Sequence, residues 1–384
     1  MTQPMTHRER LLCALDHKEP DRVPLDLGTC SSGLHLQSHR RLLDYLGLEG
    51  DTQFDETTLV AQVDEAILRH FDVDTRLVAY VRPLVDDTEA HGRRERLEGD
   101  GYTDGWGVLW RAAQGQPGTP ILGPFQKHRS LADLEAHAWP NPEHPIFTVG
   151  LAEQAAKLRH DTDYAVVMGF PGRVFTFGQF MCGMEEWLVA LLRDEAFAIA
   201  LMDRGLEIQM AIVARMLEAV GDNVDIVYCA EDLGMQNGPI ISPRLYRKLI
   251  KPRHKRLFEF VKSRTRARLL MHSDGSIIPF LGDLIDIGVD AINPVQVSTE
   301  GMGDTAWLKR EFGQHLTFWG AIDTHHVLPF GTPTQVREEV RRRIDDLAPG
   351  GGYVLASVHN MTAEVPPENV CAMFAEARDY GRTK

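Results

Sequence analysis

The chain has 384 residues, of which 43% are hydrophobic and 25% are charged, a balance that excludes a disordered, fibrous or collagen-like protein. Its formal net charge of −14 at pH 7 argues against nucleic acid as a partner, because binding to a phosphate backbone needs a basic surface. We therefore expect a single globular domain over residues 1–384, whose partners are small molecules and other proteins.

The N-terminal segment is polar and lacks the apolar core of a signal peptide. No later run approaches the ~20 apolar residues that a membrane-spanning helix needs, so we expect a cytoplasmic protein without a membrane partner. The five cysteines form no CxxC pair, which favours reduced thiols over a disulfide framework or a cysteine zinc site. They are Cys13, Cys30, Cys182, Cys229 and Cys371.

Short β-branched or aliphatic runs alternate with long amphipathic segments, which is typical of parallel strands joined by helical crossovers. Eight such strands with intervening helices predict an α/β fold, a (β/α)8 TIM-type barrel. The predicted strands cover residues 23–27, 76–80, 164–169, 225–229, 268–272, 291–295, 316–320 and 353–356.

Residues 86–145 are the least regular part of the sequence, with glycines scattered among charged and aromatic residues. Long irregular connections in compact proteins tend to be functional, so we predict an inserted β-hairpin or lid after the second strand. Trp106 and Trp110 would pack it down or serve as plain structural anchors. No glycine-rich phosphate-binding motif follows a strand and opens a helix, which argues against a Rossmann or P-loop enzyme.

The segment GFPGRVFTFGQFM after the third predicted strand is rich in aromatic residues. We predict Phe170 and Phe177 as substrate-binding residues, because an aromatic wall would suit an aryl substrate. Such residues would suit an ordinary core equally well.

Two carboxylates follow the fourth predicted strand, in the run IVYCAEDLG. We predict Glu231 as a catalytic acid/base group or additional metal ligand. Asp232 could also complete the site, and Cys229 is an alternative donor. The competing interpretation makes Glu231 a structural carboxylate that is bonded to loop amides.

His272 and Asp274 stand at the end of the fifth predicted strand, in the run LLMHSDGS. Residues two apart in a strand project from one face, so both side chains could point at one cation, joined by His359 from the end of the last strand. Nitrogen and oxygen donors of this kind suit Zn²⁺ or another borderline divalent metal. We therefore predict His272, Asp274 and His359 as metal ligands, and the competing interpretation is a chance HxD pair in a chain that carries 16 histidines.

Further polar residues follow the remaining strands. We predict Asn293 and Asp323 as catalytic residues and Gln296 and Asn360 as substrate-binding residues, because each could orient substrate or a ligand histidine. Asn and Asp at strand ends also cap helices and turns, so a structural role is the competing interpretation. The adjacent His325 and His326 are weaker candidates, since neighbouring loop residues need not converge.

Motifs along nearly the whole chain resemble those of the uroporphyrinogen decarboxylase superfamily, and within it the cobalamin-dependent methyltransferase-like branch. The resemblance implies a (β/α)8 barrel, in agreement with the strand count. A true uroporphyrinogen decarboxylase carries an arginine-rich segment after its first strand for the substrate carboxylates. Here no arginine stands between Arg22 and Arg40, which argues against that activity. The motifs are RERLLCALDHKEPDRVPLDLG, DGWGVLW, GFPGRVFTFGQFMCGMEEWLVALLRD, AEDLGMQNGPIISPRLYRKLIKPRHKRL, LLMHSDGSIIPFLGDLIDIGVDAINPVQV, FWGAIDTHHVLPFGTPTQVREEV and GGYVLASVHNMTAEVPPENVCAMFAEARDYG.

The methyltransferase-like branch resembles enzymes that bind zinc through an HxC pair at one strand end and a further Cys at the last strand end. By this resemblance the positions match His272, Asp274 and His359, so Asp274 and His359 stand where two thiolates would be. A His₂-carboxylate set leaves a more electrophilic metal than thiolates do, which favours oxygen or nitrogen substrates over thiols. Such a metal would polarise an O–CH₃ bond, so that a Co(I) centre could take the methyl group.

The resemblance therefore implies a zinc-dependent methyltransferase of the O-demethylase type. It would move a methyl group between a small substrate, such as a methoxylated aromatic compound, and a corrinoid. No DxHxxG-type cobalamin signature occurs, so the corrinoid would come on a partner protein. Transfer in the reverse direction is the second version of this hypothesis. A homodimer is common among related barrels.

Two other functions remain open at this stage. One is a metal-assisted or metal-free decarboxylase or lyase of a small carboxylated substrate, which would keep the barrel but not depend on cobalamin. The other is a non-catalytic barrel that keeps a metal for stability, in a closed coordination shell.

Overall fold

A computed structural model describes residues 4–29, 31–54, 58–78, 101–111, 118–127 and 129–382 of the chain. The strands in these residues are β1 (Leu34–His35), β2 (Val60–Ala61), β3 (Thr75–Val78), β4 (Gly101–Thr103), β5 (Leu109–Arg111), β6 (Thr119–Leu122), β7 (Ala165–Gly169), β8 (Ile226–Ala230), β9 (Gly234–Met235), β10 (Gly238–Pro239), β11 (Arg268–His272), β12 (Ala291–Asn293), β13 (Thr317–Ile322) and β14 (Tyr353–Ser357). The α-helices are α1 (His7–Leu15), α2 (Leu36–Leu46), α3 (Glu65–His70), α4 (Leu131–Ala136), α5 (Leu151–Asp161), α6 (Phe175–Cys182), α7 (Met184–Arg193), α8 (Glu195–Val220), α9 (Pro243–Leu245), α10 (Lys251–Lys262), α11 (Ile278–Asp286), α12 (Thr305–Phe312), α13 (Val327–Phe330), α14 (Pro333–Leu347) and α15 (Pro367–Tyr380).

One parallel sheet dominates the architecture. Within the described ranges it contains seven strands, paired side by side in chain order as β3, β7, β8, β11, β12, β13 and β14. Helices connect most successive strands and cover the outer face. The predicted α/β barrel of the TIM type is confirmed, and seven of the eight predicted strands overlap an observed one.

The eighth predicted strand, residues 23–27, takes its place in the barrel without forming a regular ladder. It lies between the two edge strands: Asp26 N–H donates to Leu355 O of β14 at 3.0 Å, and Asp74 N–H donates to Leu25 O at 2.9 Å. Pro24 has no N–H to donate, and Leu25 N–H is taken by the Asp74 side chain. The segment therefore closes the barrel through a single bridge, Leu25 to Leu355.

Alternating residues of the barrel strands fill its interior. Val167, Leu270 and Val354 belong to one buried cluster that Leu11 and Leu15 of α1 close at the amino ends of the strands. The side chains on the other face, such as Met271 of β11, join the larger core between sheet and helices. A packed interior with a plug at its amino end leaves the carboxyl rim as the open end of the barrel.

The predicted insertion contains a small sheet of its own in the described part. Strands β4, β5 and β6 are antiparallel. The Trp106 ring lies 5.0 Å from that of Phe177, and the Trp110 ring 5.5 Å from that of Phe180, so both tryptophans pack the sheet against α6. Residues 86–100, 112–117 and 128 of this prediction lie outside the described residues, and a role as a lid stays a prediction.

The other whole-chain expectations concern membranes and thiols. None of the described helices combines the length and the apolar character that a membrane crossing requires. Cys13, Cys182, Cys229 and Cys371 carry free thiols, and Cys30 lies outside the described residues.

Candidate metal centre

The three predicted ligands lie at the carboxyl rim of the barrel. His272 is the last residue of β11, Asp274 follows it in the loop, and His359 lies just beyond the end of β14. Parallel strands bring their carboxyl ends to one rim, so residues far apart in sequence become neighbours there. Side-chain exposure rises from 5% for His272 to 33% for Asp274 and 43% for His359, so the group opens towards solvent at His359.

The side chains converge with a spacing that suits a metal. Asp274 Oδ2 lies 3.6 Å from His272 Nε2 and 3.7 Å from His359 Nε2, and one donor atom from each residue lies within 4.8 Å of the others. Ligands of a tetrahedral zinc ion at about 2.1 Å are about 3.4 Å apart, so small side-chain movements would complete the coordination. Among the described residues this is the one such group of three.

Asn293 determines which nitrogen of the His272 ring carries a hydrogen. Asn293 is the last residue of β12, and its Nδ2 donates a hydrogen bond to the carbonyl oxygen of Trp319 at 3.1 Å. Its Oδ1 therefore faces His272 Nδ1, at 2.5 Å. An amide oxygen only accepts, so Nδ1 carries a proton and Nε2 is the nitrogen left for a metal. Asn293 thus contacts a predicted ligand and orients its ring.

Replacing Asn293 by alanine should lower zinc affinity by about 10–100-fold, because the His272 ring loses the partner that fixes its tautomer and orientation. Chelator competition on the purified protein measures the change. Asn369→Ala is the matched control, since it removes another buried amide that donates to backbone carbonyl oxygens. Equal affinities for Asn293→Ala and the wild type would contradict the assigned role.

Electrostatic interactions within the group shift the pKa values of His272 and Asp274 so that the two carry opposite charges. Burial by itself lowers the pKa of His272, but the carboxylates of Asp274 and Asp232 outweigh burial and raise it to about 9. Burial raises the pKa of Asp274, and its interactions with His272 and His359 overcome that effect and hold it below the usual range. Burial lowers the pKa of His359. The metal-free protein therefore holds a His272 cation beside an Asp274 anion at neutral pH.

Zinc binding near pH 7.5 should release about one proton per chain, because the metal must displace the proton from His272 Nε2. The sign follows from a pKa of about 9: below it the proton competes with the metal, so affinity falls about tenfold for each unit of decreasing pH and levels off above it. Calorimetric titrations in buffers of different ionisation enthalpy count the released protons. Heats that do not depend on the buffer would argue against His272 as a ligand.

The loop that carries His272 and Asp274 is joined to the loop after β8. Leu233 N–H donates to Ser273 Oγ at 3.0 Å, and Asp274 N–H donates to Asp232 Oδ1 at 3.1 Å. The two backbones touch at Gly234 and Gly275, where a Cβ on Gly275 would lie 2.2 Å from the Gly234 carbonyl carbon. A side chain at Gly275, which also has φ +87°, would force the loops apart.

Glu231, predicted as an acid/base group or ligand, does not lie in the three-residue group. Its side chain is fully buried and accepts hydrogen bonds from the N–H groups of Val174, Phe175 and Thr176, from the Thr176 hydroxyl and from His254 Nε2. Both oxygens are occupied by donors. The geometry favours the structural interpretation of this carboxylate.

The other predicted polar residues each hold a backbone N–H at the rim. Asp323 Oδ1 accepts from His325 N–H at 2.7 Å, Gln296 Oε1 from Gly275 N–H at 2.7 Å, and Asn360 Oδ1 from Gly33 N–H at 2.7 Å. These contacts favour support of the loops for all three. Contact with substrate stays a prediction for Gln296 and Asn360, and catalysis stays one for Asp323.

The two predicted aromatic residues are buried. Phe177 packs between Trp106 and α8, where a Cβ on Gly205 would lie 2.2 Å from its ring, and this favours the core interpretation. Phe170 is 7% exposed and lies just beyond β7 at the rim. Of the two, Phe170 is the better placed for a substrate.

Two residues that the sequence ranks low interact with the group. Asp232 Oδ1 is 3.8 Å from His272 Nε2, and the Asp232 side chain is 45% exposed. His325 is 42% exposed, its Nδ1 lies 3.2 Å from Ser298 Oγ, and its electrostatic interaction lowers the pKa of Asp274 and of His359. The adjacency of Asp232 to Glu231 was the available signal, because consecutive residues at a strand end point to different sides.

Comparisons with known proteins identify the fold family. A family model described as uroporphyrinogen decarboxylase (URO-D) matches residues 120–380. A methyltransferase from Methanosarcina mazei aligns with 98% of this chain and 99% of its own, at 19% identity and a TM-score of 0.67. This likeness concerns the fold.

A second solved structure is more distant. It is a B12-independent methionine synthase from Shewanella sp. W3-18-1 in complex with selenomethionine. The alignment covers 94% of this chain and 98% of that one, at 12% identity and a TM-score of 0.45. A search of curated protein sequences found no match.

Proposed function

We propose that this chain, which belongs to the uroporphyrinogen decarboxylase (URO-D) family, is a methyltransferase. It moves a methyl group between a small substrate, such as a methoxylated aromatic compound, and a corrinoid cofactor on a partner protein. A divalent metal, zinc in the first place, is held by His272, Asp274 and His359.

The observation that carries this proposal is the convergence of those three side chains at the open end of the barrel. Catalytic groups of such barrels stand on the loops after the strands. Three protein ligands leave a coordination position for substrate, as catalytic zinc sites require. The name of the Methanosarcina mazei structure, a methyltransferase, supports the same reaction class.

The donor set supports an oxygen substrate. When bound, the metal would supply Lewis acidity to an ether or hydroxyl oxygen, and the corrinoid would supply the methyl acceptor. Cys229, the alternative donor that the sequence offered, is buried, and burial raises its pKa, so among the described residues no thiolate joins the group. Activation of a thiol substrate is therefore less well supported.

The chain's own residues orient and shield the reaction. Asn293 accepts the hydrogen of His272 Nδ1 and so leaves Nε2 facing Asp274, and Gln296 accepts a hydrogen bond from the Gly275 amide and so supports the loop of Asp274. Phe170 supplies an apolar side chain at the rim. His359, the most exposed of the three ligands, faces the side from which substrate and partner would approach.

The test is methyl transfer in vitro. The zinc-loaded protein is mixed with a methoxylated benzoate and cobalamin reduced to Co(I), which replaces the partner's corrinoid, and methylcobalamin is followed by its absorption spectrum. We expect methylcobalamin and the demethylated phenol in equal amounts. Release of CO₂ from a carboxylated substrate without cobalamin would instead support the decarboxylase or lyase alternative and overturn methyl transfer.

A further inference from the structure

A series of hydrogen bonds, buried at Glu231 and partly buried at Asp232, connects the helical shell with the candidate metal ligands. It begins at His254 of α10, whose Nε2 donates a hydrogen bond to the Glu231 carboxylate at 3.0 Å. Burial raises the pKa of Glu231, but the hydrogen bonds and charge of His254 and the bonds from Thr176 lower it further than burial raises it. Glu231 is therefore an anion, and an anion only accepts hydrogen bonds.

The Thr176 hydroxyl is the next member of the series, and the direction of its hydrogen bond follows from the charge of Glu231. Thr176 Oγ1 lies 2.6 Å from Glu231 Oε1 and must donate its hydrogen to that carboxylate. Its lone pairs then face Asp232 N–H, which donates to the same oxygen at 3.1 Å. One hydroxyl thus ties α6 to the residue that follows Glu231.

Asp232 carries the connection to the metal ligands. Its Oδ1 accepts the Asp274 N–H at 3.1 Å and lies 3.8 Å from His272 Nε2. A backbone bond runs in parallel, since Glu231 N–H donates to His272 O at 2.8 Å. The order of the series is His254, Glu231, Thr176, Asp232 and Asp274.

We propose that Thr176 is a positioning residue that holds Asp232, and through it the backbone at Asp274, in place for metal binding. The inference rests on the proposed metal site. Partners of metal ligands typically change metal affinity by about 10–100-fold when they are removed. Because Thr176 acts through Asp232, we assign it the lower end, about tenfold.

The test compares Thr176→Val, which keeps the side-chain shape and removes the hydroxyl, with Thr176→Ser, which keeps the hydroxyl. Thr305→Val is the matched control. Thr305 is also a buried threonine that donates to a carboxylate, Asp346, and accepts from a nitrogen, Arg343 Nη1, but it is the first residue of α12 and its partners lie on α14. Thr305→Val therefore reports the general cost of losing a buried hydroxyl.

Two readouts are made on each protein. Zinc affinity comes from chelator competition, and hydrogen exchange of the metal-free protein reports opening of the segment around Asp274. We expect Thr176→Val to bind zinc about tenfold more weakly and to exchange faster at the Asp274 amide, with Thr176→Ser restoring both and Thr305→Val changing neither.

Unchanged affinity and unchanged exchange in Thr176→Val would overturn the inference. A wild-type protein that takes up no zinc would overturn the metal in the proposed function. The exchange data alone would then decide the positioning role: faster exchange at Asp274 only in Thr176→Val supports it, and equal exchange in all four proteins overturns it.

Discussion

The His272→Ala variant should bind zinc at least about 100-fold more weakly than the wild-type protein, a larger loss than removal of an outer partner causes. His272 is the most buried of the three ligands, and its Nε2 is directed by Asn293. Elemental analysis of protein purified without added metal measures the effect. We expect about one zinc per wild-type chain, little in His272→Ala, and methyl transfer that falls with the metal content.

The histidine control is His315→Ala. His315 is exposed and precedes β13, at the amino end of the barrel, so its loss should leave the zinc content unchanged. Asp274 is 33% exposed, and Asp274→Asn keeps the size of its side chain while removing the charge. This variant should also lose zinc. Zinc retained in both His272→Ala and Asp274→Asn would show that the metal binds elsewhere. The proposed chemistry would then lose its site.

Asp74→Ala should destabilise the protein by about 3–5 kcal/mol, because it leaves two buried guanidinium groups without their shared carboxylate. Asp74 is completely buried. Arg10 Nη1 and Arg22 Nη1 each donate to it at 2.7 Å, and Leu25 N–H donates at 2.7 Å. The carboxylate therefore holds α1 and the barrel-closing segment at residues 23–27 together at the amino end.

Denaturant unfolding followed by circular dichroism measures the loss for Asp74→Ala. The control is Glu259→Ala, which breaks an exposed pair with Lys255 on α10 and should change stability by less than about 1 kcal/mol. A similar small change for Asp74→Ala would contradict the account of the amino-end network. Activity of the folded fraction should be unaffected, because the network lies at the end opposite to the rim.

Local patterns in the sequence were sufficient for the barrel and for part of the rim. The alternation of apolar runs with amphipathic segments predicts the parallel strands, and seven of eight are found. The pair His272 and Asp274 follows from the spacing of two residues at a strand end. The first predicted strand, residues 23–27, is less regular than predicted, because the Asp74 side chain takes the Leu25 N–H that a strand ladder would use. This contact joins separate parts of the chain, so no local pattern indicates it.

The roles of Glu231 and Asp232 could not be separated in this way. Both carboxylates follow β8, and the sequence ranks Glu231 first. Its hydrogen bonds come from residues 174–176 and from His254 on α10, which no local pattern predicts. Burial and these donors turn Glu231 away from solvent, while Asp232 stays exposed beside His272.

The sequence by itself therefore determined the fold class, the positions of most strands and the type of donor atoms at the rim, because strand periodicity and side-chain chemistry are local properties. Tertiary structure decided how closely those donors approach one another and which other side chains contact them. Closure of the barrel brings His359 next to Asp274 and directs Asn293 at His272. It also encloses Glu231 among donors. Hydrogen-bond partners and burial depend on distances across the fold, which spacing along the chain does not encode.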